Sequence, residues 1–189
     1  MAITKGITFT HARSYVEQTY GAAGWNEVLA ASPPGDRAVL SSVVAVGWYD
    51  LGAYARVLRT IDETHGSGDL ELLNAIGRYG AEKDITTVYR LFFRLQSPAY
   101  AIEKIAEYWR KFHDTGVWRV ERRGDGRAHG TLRDWGYVER TLCREMTAYM
   151  TRVLELVGAK DVRLAHPRCR AEGEEECFFT LRWRGKDGS

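Results

Sequence analysis

Three cysteines and a histidine form the strongest chemical signal in this sequence of 189 residues. His166 and Cys169 are three positions apart, and Cys177 follows eight positions later, across a loop in which Gly173 lets the chain fold back. The third cysteine, Cys143, lies a short distance before them. Three thiolates and one imidazole make a complete tetrahedral ligand set for Zn²⁺, and a set that fills all four positions is structural rather than catalytic.

The alternative for these thiols is burial without a metal. A free cysteine is commonly a small hydrophobic core residue, and a lone cysteine on a helix face usually has that role. A histidine before a proline, as at His166, is also common in turns, so spacing alone does not decide between the two interpretations. Because three cysteines are an odd number, we expect no disulfide framework and a reducing, cytoplasmic compartment.

Aromatic residues are the second feature that bears on function. The sequence holds 6 Trp, 10 Tyr and 6 Phe, which either fill an ordinary core or line a binding pocket. In the second case we expect an internal pocket for a small apolar or aromatic molecule, oriented by an imidazole and by indole N–H groups. The candidate lining residues are Phe92, Trp109, His113, Trp118 and Trp135.

The first 115 residues or so, which must position part of this pocket, have the pattern of helices. Apolar residues at i, i+3, i+4 and i+7 predict a helix over 51–61. Asp84 is expected to be the N-cap of a helix that contains Phe92. Ser97 followed by Pro98 predicts the start of the next helix, which carries Trp109.

After Gly116 the pattern changes to alternation, which predicts two β-hairpins on either side of a long amphipathic helix. The expected strands are 117–121, 128–135, 162–165 and 177–183, and the expected helix is 138–156. Helices and hairpins segregated along the chain predict an α+β fold, with a four-stranded antiparallel sheet packed on helices. We expect one domain over 1–189, with a helical part over 1–115 and a sheet, long-helix and metal-site part over 116–185.

Composition and motifs argue against several functions. A formal net charge of +2 does not suit a nucleic-acid-binding protein. The sequence also contains no run of about 18 apolar residues, the length that a membrane-spanning helix needs. The sequence has no P-loop, no GxGxxG motif, and no Ser or Cys nucleophile paired with a histidine in a recognisable pattern. We therefore expect no catalytic residues.

The stretch 166–183, in which Cys169, Gly173 and Cys177 precede an aromatic strand, resembles the end of the 4-vinyl reductase domain family. That family includes the aromatic-sensing domains of phenol- and xylene-responsive transcription activators. In those sensors a zinc is held by a helix cysteine, an acidic residue and two further cysteines at this spacing. The resemblance, which covers about 138–183, implies zinc on the three cysteines, with His166 in place of the carboxylate, and a sensory role.

The N-terminal part resembles the haem nitric-oxide/oxygen-binding (H-NOX) fold. The resemblance lies in Gly6-Ile7-Thr8-Phe9, Tyr20-Gly21, Trp25-Asn26-Glu27-Val28-Leu29 and Leu72-Leu73-Asn74-Ala75-Ile76-Gly77-Arg78-Tyr79. The 4-vinyl reductase domains, H-NOX-like domains and trafficking-complex (TRAPP) subunits share helices on an antiparallel four-stranded sheet. The pattern Trp48-Tyr49-Asp50-Leu51 followed by Tyr54 is also similar to a myxobacterial family of unknown function, which implies a fold and no activity.

His113 is the one candidate haem ligand, because it closes an apolar helical stripe. H-NOX domains hold the haem propionates with a Tyr-x-Ser-x-Arg motif, and this sequence has Thr131-Leu132-Arg133-Asp134-Trp135 instead. The interpretation that we favour for His113 is a helix C-terminal histidine stabilised by the helix dipole.

Together these features predict a small-molecule-binding or sensory module with a structural zinc site. We expect a homodimer with a signalling partner protein. The alternatives are a ligand-free dimerisation scaffold of the TRAPP type and a haem-based gas sensor.

Overall fold

The computed structural model describes residues 1–87 and 97–185. Its helices are Ile7–Ala31 (α1), Pro34–Ser42 (α2), Leu51–His65 (α3), Leu72–Thr87 (α4), Pro98–Phe112 (α5) and Arg140–Leu156 (α6). Its strands are Ile3–Lys5 (β1), Trp48–Asp50 (β2), Val117–Arg122 (β3), Arg127–Arg133 (β4), Lys160–Arg168 (β5) and Cys177–Arg184 (β6). Among these helices, none is both long and apolar enough to cross a membrane.

The predicted α+β fold with a four-stranded antiparallel sheet is confirmed. The strand order is β3-β4-β6-β5, so the two hairpins join through the pairing of β4 with β6, where Leu132 lies opposite Cys177. Along β6, Phe179 and Leu181 are buried and alternate with more exposed neighbours, as expected for a sheet with one covered face. Helix α5 contacts β3 and helix α6 contacts β5, so these helices cover the apolar face.

A two-stranded sheet of β1 and β2 lies outside the predicted elements. Each strand has three residues, and Ile3 pairs with Asp50. Such short strands give too little alternation to detect. Asp50 also caps α3, because its carboxylate accepts hydrogen bonds from the Gly52 and Ala53 N–H groups. The Ile3 N–H group donates to Asp114 at 2.8 Å, which ties this small sheet to the end of α5.

Three helix ends test the predicted boundaries. Glycine suits the C-terminal end of a helix, and the backbone does leave the helical conformation at Gly21, with φ 76° and ψ −179°, before a second helical segment of α1 continues to Ala31. The prediction that Asp84 caps a helix is wrong, since Asp84 is buried inside α4. The remainder of that predicted helix, with Phe92, lies outside the described residues. The Ser97 cap is confirmed, because its hydroxyl accepts from the Tyr100 N–H group.

Helices α4 and α6 approach each other closely at Gly77. A Cβ atom at Gly77 would lie 2.2 Å from the Glu145 carbonyl oxygen and 3.0 Å from the Tyr149 backbone nitrogen. Both contacts are with backbone, which cannot rotate away. A Cβ atom at Gly80, one turn later, would find its nearest neighbour, a His11 ring nitrogen, at an ordinary 3.5 Å. The packing of α4 on α6 therefore requires glycine at position 77 and not at position 80.

We expect Gly77→Ala to lower the free energy of unfolding by about 1–3 kcal/mol, since the added methyl group overpacks the helix contact. Gly80→Ala is the matched control. It should raise stability by up to about 1 kcal/mol, because alanine is the better helix former. Chemical denaturation of both variants measures the difference. A Gly77→Ala protein as stable as Gly80→Ala would contradict this packing.

Candidate functional site

The four predicted metal ligands lie together. Their ligand atoms are all within 4.8 Å of one another, and the three thiols are buried and free of disulfides. The Sγ atoms of Cys143 and Cys169 are 3.7 Å apart. In a tetrahedral site with Zn–S bonds of about 2.3 Å, two sulfur atoms lie about 3.8 Å apart. The cluster therefore has the dimensions of a four-coordinate metal site.

The loop between β5 and β6 brings Cys169 back onto Cys177. The Cys169 carbonyl oxygen accepts hydrogen bonds from the N–H groups of Glu172 at 2.9 Å and Glu174 at 3.3 Å. Gly173 closes the turn with φ 95°, a left-handed conformation that favours glycine. The other two candidate ligands come from neighbouring elements. His166 lies on strand β5, and Cys143 lies in the first turn of α6.

The surroundings of the cluster favour thiolates. The Cys143 thiol shares its proton with its neighbours, which lowers the pKa of Cys177 to about 4 and that of Cys169 to about 7, and its own pKa is raised. The N–H group of Arg170 approaches the Cys177 sulfur at 3.5 Å, and the Ala171 backbone donates to Cys169. Such backbone donors stabilise sulfur ligands of a metal.

His166 completes the set. Its ring stacks on Phe179 with centroids 4.1 Å apart, and its Nε2 atom is buried without a hydrogen-bond partner among the described residues. A buried polar atom without a partner is costly. Coordination of a cation would satisfy it, so the donor set fits a thiophilic metal.

A cavity of about 130 Å³ lies between the sheet and the helices. Four of the five predicted pocket residues, Trp109, His113, Trp118 and Trp135, line it, and the fifth, Phe92, lies outside the described residues. An apolar cavity of roughly 150 Å³ holds one benzene molecule. The space therefore suits a ligand of about one aromatic ring.

Trp109 is the centre of the aromatic wall. The His113 ring stacks on it at 4.0 Å, and the rings of Trp135 and Trp118 meet it edge-on at 5.2 and 5.9 Å. The Trp109 indole N–H group donates to the Thr115 carbonyl oxygen. By contrast, the indole nitrogens of Trp118 and Trp135 and the Nδ1 atom of His113 are buried with no partner in the described part of the chain.

The favoured interpretation of His113, a helix C-terminal histidine stabilised by the helix dipole, is confirmed for its position and wrong for its stabilisation. The residue does follow the last turn of α5, and its N–H group bonds the Trp109 carbonyl oxygen. However, its imidazole packs between Trp109 and Trp135. Burial lowers its pKa to about 3, so the ring is neutral.

Acidic groups form a part of the cavity wall that sequence reasoning missed. Glu145 is partly buried at the cavity wall and is hydrogen-bonded to Tyr54, and burial together with the nearby Asp84 raises its pKa to about 7. Burial also raises the pKa of Asp84, which accepts a hydrogen bond of 2.8 Å from the Tyr149 hydroxyl. The His11 Nε2 atom lies 3.6 Å from Asp84. All five residues line the cavity.

Two signals in the sequence point to these acids. Glu145 interrupts the apolar stripe of α6, three positions after Leu142 and one before Met146. Asp84 likewise continues the buried stripe of α4, three positions after Ala81. A carboxyl group at an apolar stripe position must be buried, and a buried carboxyl group needs a partner.

Haem, which the H-NOX resemblance implies, does not fit these residues. The cavity is well below the roughly 300–1,000 Å³ of pockets for drug-sized ligands. No Lys or Arg lines it within the described residues, and Asp84 and Glu145 would repel haem propionates. Arg133, in the segment that replaces the propionate motif, is exposed and pairs with Glu176 at 2.6 Å.

Comparison with known proteins identifies the fold. No family model matches the sequence, and no curated protein sequence does. The structure is similar to that of an unliganded Fe(II) H-NOX protein from K. algicida, with a TM-score of 0.74 and 13% identity over 96% of this chain and 97% of that one. An H-NOX protein from S. oneidensis in the Fe(II)NO state gives 0.72 and 17%, over 96% and 99% of the two chains.

An oxygen-binding H-NOX domain related to soluble guanylate cyclases gives a TM-score of 0.65 and 10% identity, over 96% of this chain and 95% of that one. At such low sequence identity these structural similarities show the fold alone. The predicted resemblance to H-NOX domains is therefore confirmed at that level, and the resemblance to 4-vinyl reductase domains stays a prediction. The chain has an H-NOX-like fold.

Proposed function

We propose that this protein is a binding module for a small aromatic molecule, with a structural zinc ion that holds the wall of its pocket in place. The observation that carries the proposal is the cavity of about 130 Å³ walled by Trp109, Trp118 and Trp135. An ordinary filled core would leave no such space. The indole nitrogens of Trp118 and Trp135, which have no partner among the described residues, would orient a ligand that carries an acceptor.

The proposed zinc site is close to the pocket in the structure. Cys143 lies on α6 beside Leu142, which lines the cavity. On the sheet, the His166 ring stacks on Phe179, and Phe179 lies 5.0 Å from the Trp118 ring. A metal bound to all four ligands would therefore fix α6 and the β5–β6 hairpin, which support two sides of the cavity.

The fold supports a sensory role for this binding module. An H-NOX domain of similar fold binds oxygen, which supports a small-molecule ligand for this protein. We infer a non-enzymatic module that acts with a signalling partner, as a homodimer. The alternative of a ligand-free scaffold is less well supported, because a scaffold needs no cavity.

Binding of phenol tests the proposal. We expect phenol to change the tryptophan fluorescence, with a dissociation constant of about 10 µM to 1 mM, a range suited to so small a ligand. Benzene should bind about two- to tenfold more weakly, because it cannot accept a hydrogen bond from the cavity wall. If neither compound binds, the cavity is not a binding site for aromatic molecules.

Two tryptophan variants sharpen this test. Trp135→Phe keeps a ring in the wall and removes one N–H group, so it should reduce the preference for phenol over benzene. Trp183→Phe is the matched control, because the indole nitrogen of Trp183 is also buried and has no partner among the described residues, and this residue is not in the cavity lining. A Trp183→Phe protein should retain the preference of the parent.

A further inference from the structure

We propose that the exposed face of the four-stranded sheet, on the side away from the cavity, binds single-stranded nucleic acid. This surface is separate from the proposed ligand pocket. Helices α5 and α6 cover the apolar face of the sheet. On the opposite face each strand presents one exposed arginine whose side chain has no hydrogen bond or ion pair among the described residues. These residues are Arg119 of β3, Arg127 of β4, Arg163 of β5 and Arg182 of β6.

The register of the sheet places three of these arginines side by side. Arg182 is the cross-strand partner of Arg127 on one side and of Arg163 on the other. Neighbouring strands lie about 4.8 Å apart, and like charges directly opposite each other destabilise a sheet. The free protein therefore carries an unfavourable row of positive charges, and an anion bound along that row would stabilise it.

A flat group of rings lies on the same face of the sheet, beside the arginine row. The guanidinium carbon of Arg168 lies 4.6 Å from the centre of the Phe178 ring, and the His129 ring meets that ring edge-on at 5.1 Å. Glu176 holds Arg168 in place through an ion pair of 2.7 Å. Nucleotide bases stack on aromatic rings and on guanidinium planes, so this group offers a stacking site.

Nucleic acid suits this face better than an acidic protein segment does. Guanidinium groups bind phosphate through two parallel hydrogen bonds, and a base can stack where a carboxylate side chain cannot. A single strand is favoured over a duplex, because the bases of a duplex are stacked on one another and cannot reach the Phe178 group.

The small net charge of the whole chain, +2, does not oppose this proposal. Binding to phosphates depends on the cations that contact them, not on the charge of the whole chain. Within the described residues, Glu121 already pairs with Arg123. Glu176 pairs with Arg133, so neither carboxylate neutralises the four unpaired arginines, and positive charge is concentrated on one face.

Fluorescence anisotropy with labelled oligo(U) and oligo(dT) of about 12 nucleotides tests the proposal, a length within the usual site sizes of single-strand-binding proteins. If each of the four arginines contacts one phosphate, the logarithm of the affinity should fall with the logarithm of salt concentration with a slope of about −2.8. Binding of either probe with this salt dependence supports the proposal, and the tighter probe identifies RNA or DNA as the natural class.

Arg182→Gln should weaken binding about three- to tenfold and reduce the salt slope by about 0.7, because one phosphate contact is lost. Its melting temperature should not fall, since the change removes repulsion within the arginine row. Arg110→Gln is the matched control, because Arg110 is also exposed but lies on α5, and it makes the same change in charge. It should keep the affinity and the slope of the parent.

Phe178→Leu tests the stacking site, since it leaves every charge in place. We expect the affinity for the oligonucleotide to fall about five- to 100-fold with the salt slope unchanged. Because Phe178 follows Cys177 in the chain, the zinc content and melting temperature of this variant are compared with those of the parent. If the variant does not fold, the arginine variants alone decide the proposal.

A peptide of about 10 glutamates, with a charge similar to that of the oligonucleotides, distinguishes nucleic acid from an acidic protein. It should compete poorly with oligo(U). If it binds as tightly as oligo(U) and Phe178→Leu weakens neither, the face is a docking site for an acidic segment and the nucleic-acid proposal is wrong. Equal binding by Arg182→Gln and Arg110→Gln, or no binding at about 50 mM salt, also overturns it. Phenol binding is measured separately, so these outcomes leave the proposed pocket untouched.

Discussion

Replacing Cys177 with serine is expected to abolish zinc binding and to lower the melting temperature by about 8–16 °C. A ligand at about 1,000 times its dissociation constant stabilises a fold by about 4 kcal/mol. In a chain of this length each kcal/mol shifts the melting temperature by about 2–4 °C. Cys169→Ala should have the same effect. Both changes leave three ligands, which do not close the tetrahedral site.

The effect should be large because the four ligands come from separate elements. Cys143 belongs to α6, His166 to β5 and Cys177 to β6. Without the metal, three neighbouring thiols stay buried, and so does the His166 Nε2 atom, which has no hydrogen-bond partner in the part of the chain that the structure describes. Elemental analysis of protein purified without added metal or chelator measures the zinc, and we expect about one ion per chain.

His129→Ala is the matched control for these variants, because His129 lies on β4 of the same sheet and is not part of the cluster. It should retain one zinc and the sensitivity of the parent to chelators. The structural-zinc proposal fails if Cys177→Ser melts at the parent temperature both with and without a chelator. Iron in place of zinc would instead indicate a different metal centre.

The grouping of the three cysteines with His166 could be predicted from the sequence because most of these residues are close along the chain. Cys169 and Cys177 flank one hairpin loop, and β5 and β6 pair on either side of it. Cys143 is on the helix that precedes this hairpin. The alternation of apolar and polar residues also predicts a strand at 177–183, and β6 is Cys177–Arg184. Local pairing and period-2 patterning carry this information directly.

The sequence marks Asp84 and Glu145 as acids at buried stripe positions, but it could not predict that they border one cavity, because that depends on long-range packing. Asp84 and Glu145 are adjacent to one cavity because α4 and α6 approach closely at Gly77, and no local pattern reports that contact. The Asp84 prediction followed the preference of aspartate for helix N-caps. Burial in the middle of α4 overrode that preference.

Filling the cavity should abolish ligand binding and stabilise the protein at the same time. A side chain can enter at Gly80, since a Cβ atom there meets the nearest described neighbours at ordinary distances. Methionine is unbranched and adapts to irregular spaces. We therefore expect Gly80→Met to bind no detectable phenol. Its stability should rise by up to about 3 kcal/mol, because filling a void recovers about 24 cal/mol per Å³.

The opposite signs of these two effects distinguish a binding site from a packing defect. If the cavity is only a packing defect, filling it raises stability and leaves phenol binding unchanged. If it is a binding site, filling it raises stability and abolishes phenol binding. Gly80→Ala is the control, because its single methyl group leaves most of the space open and should weaken phenol binding only modestly. Fluorescence titration and thermal melting of the two variants give both quantities. A folded Gly80→Met protein that binds phenol with the affinity of the parent would place the ligand elsewhere.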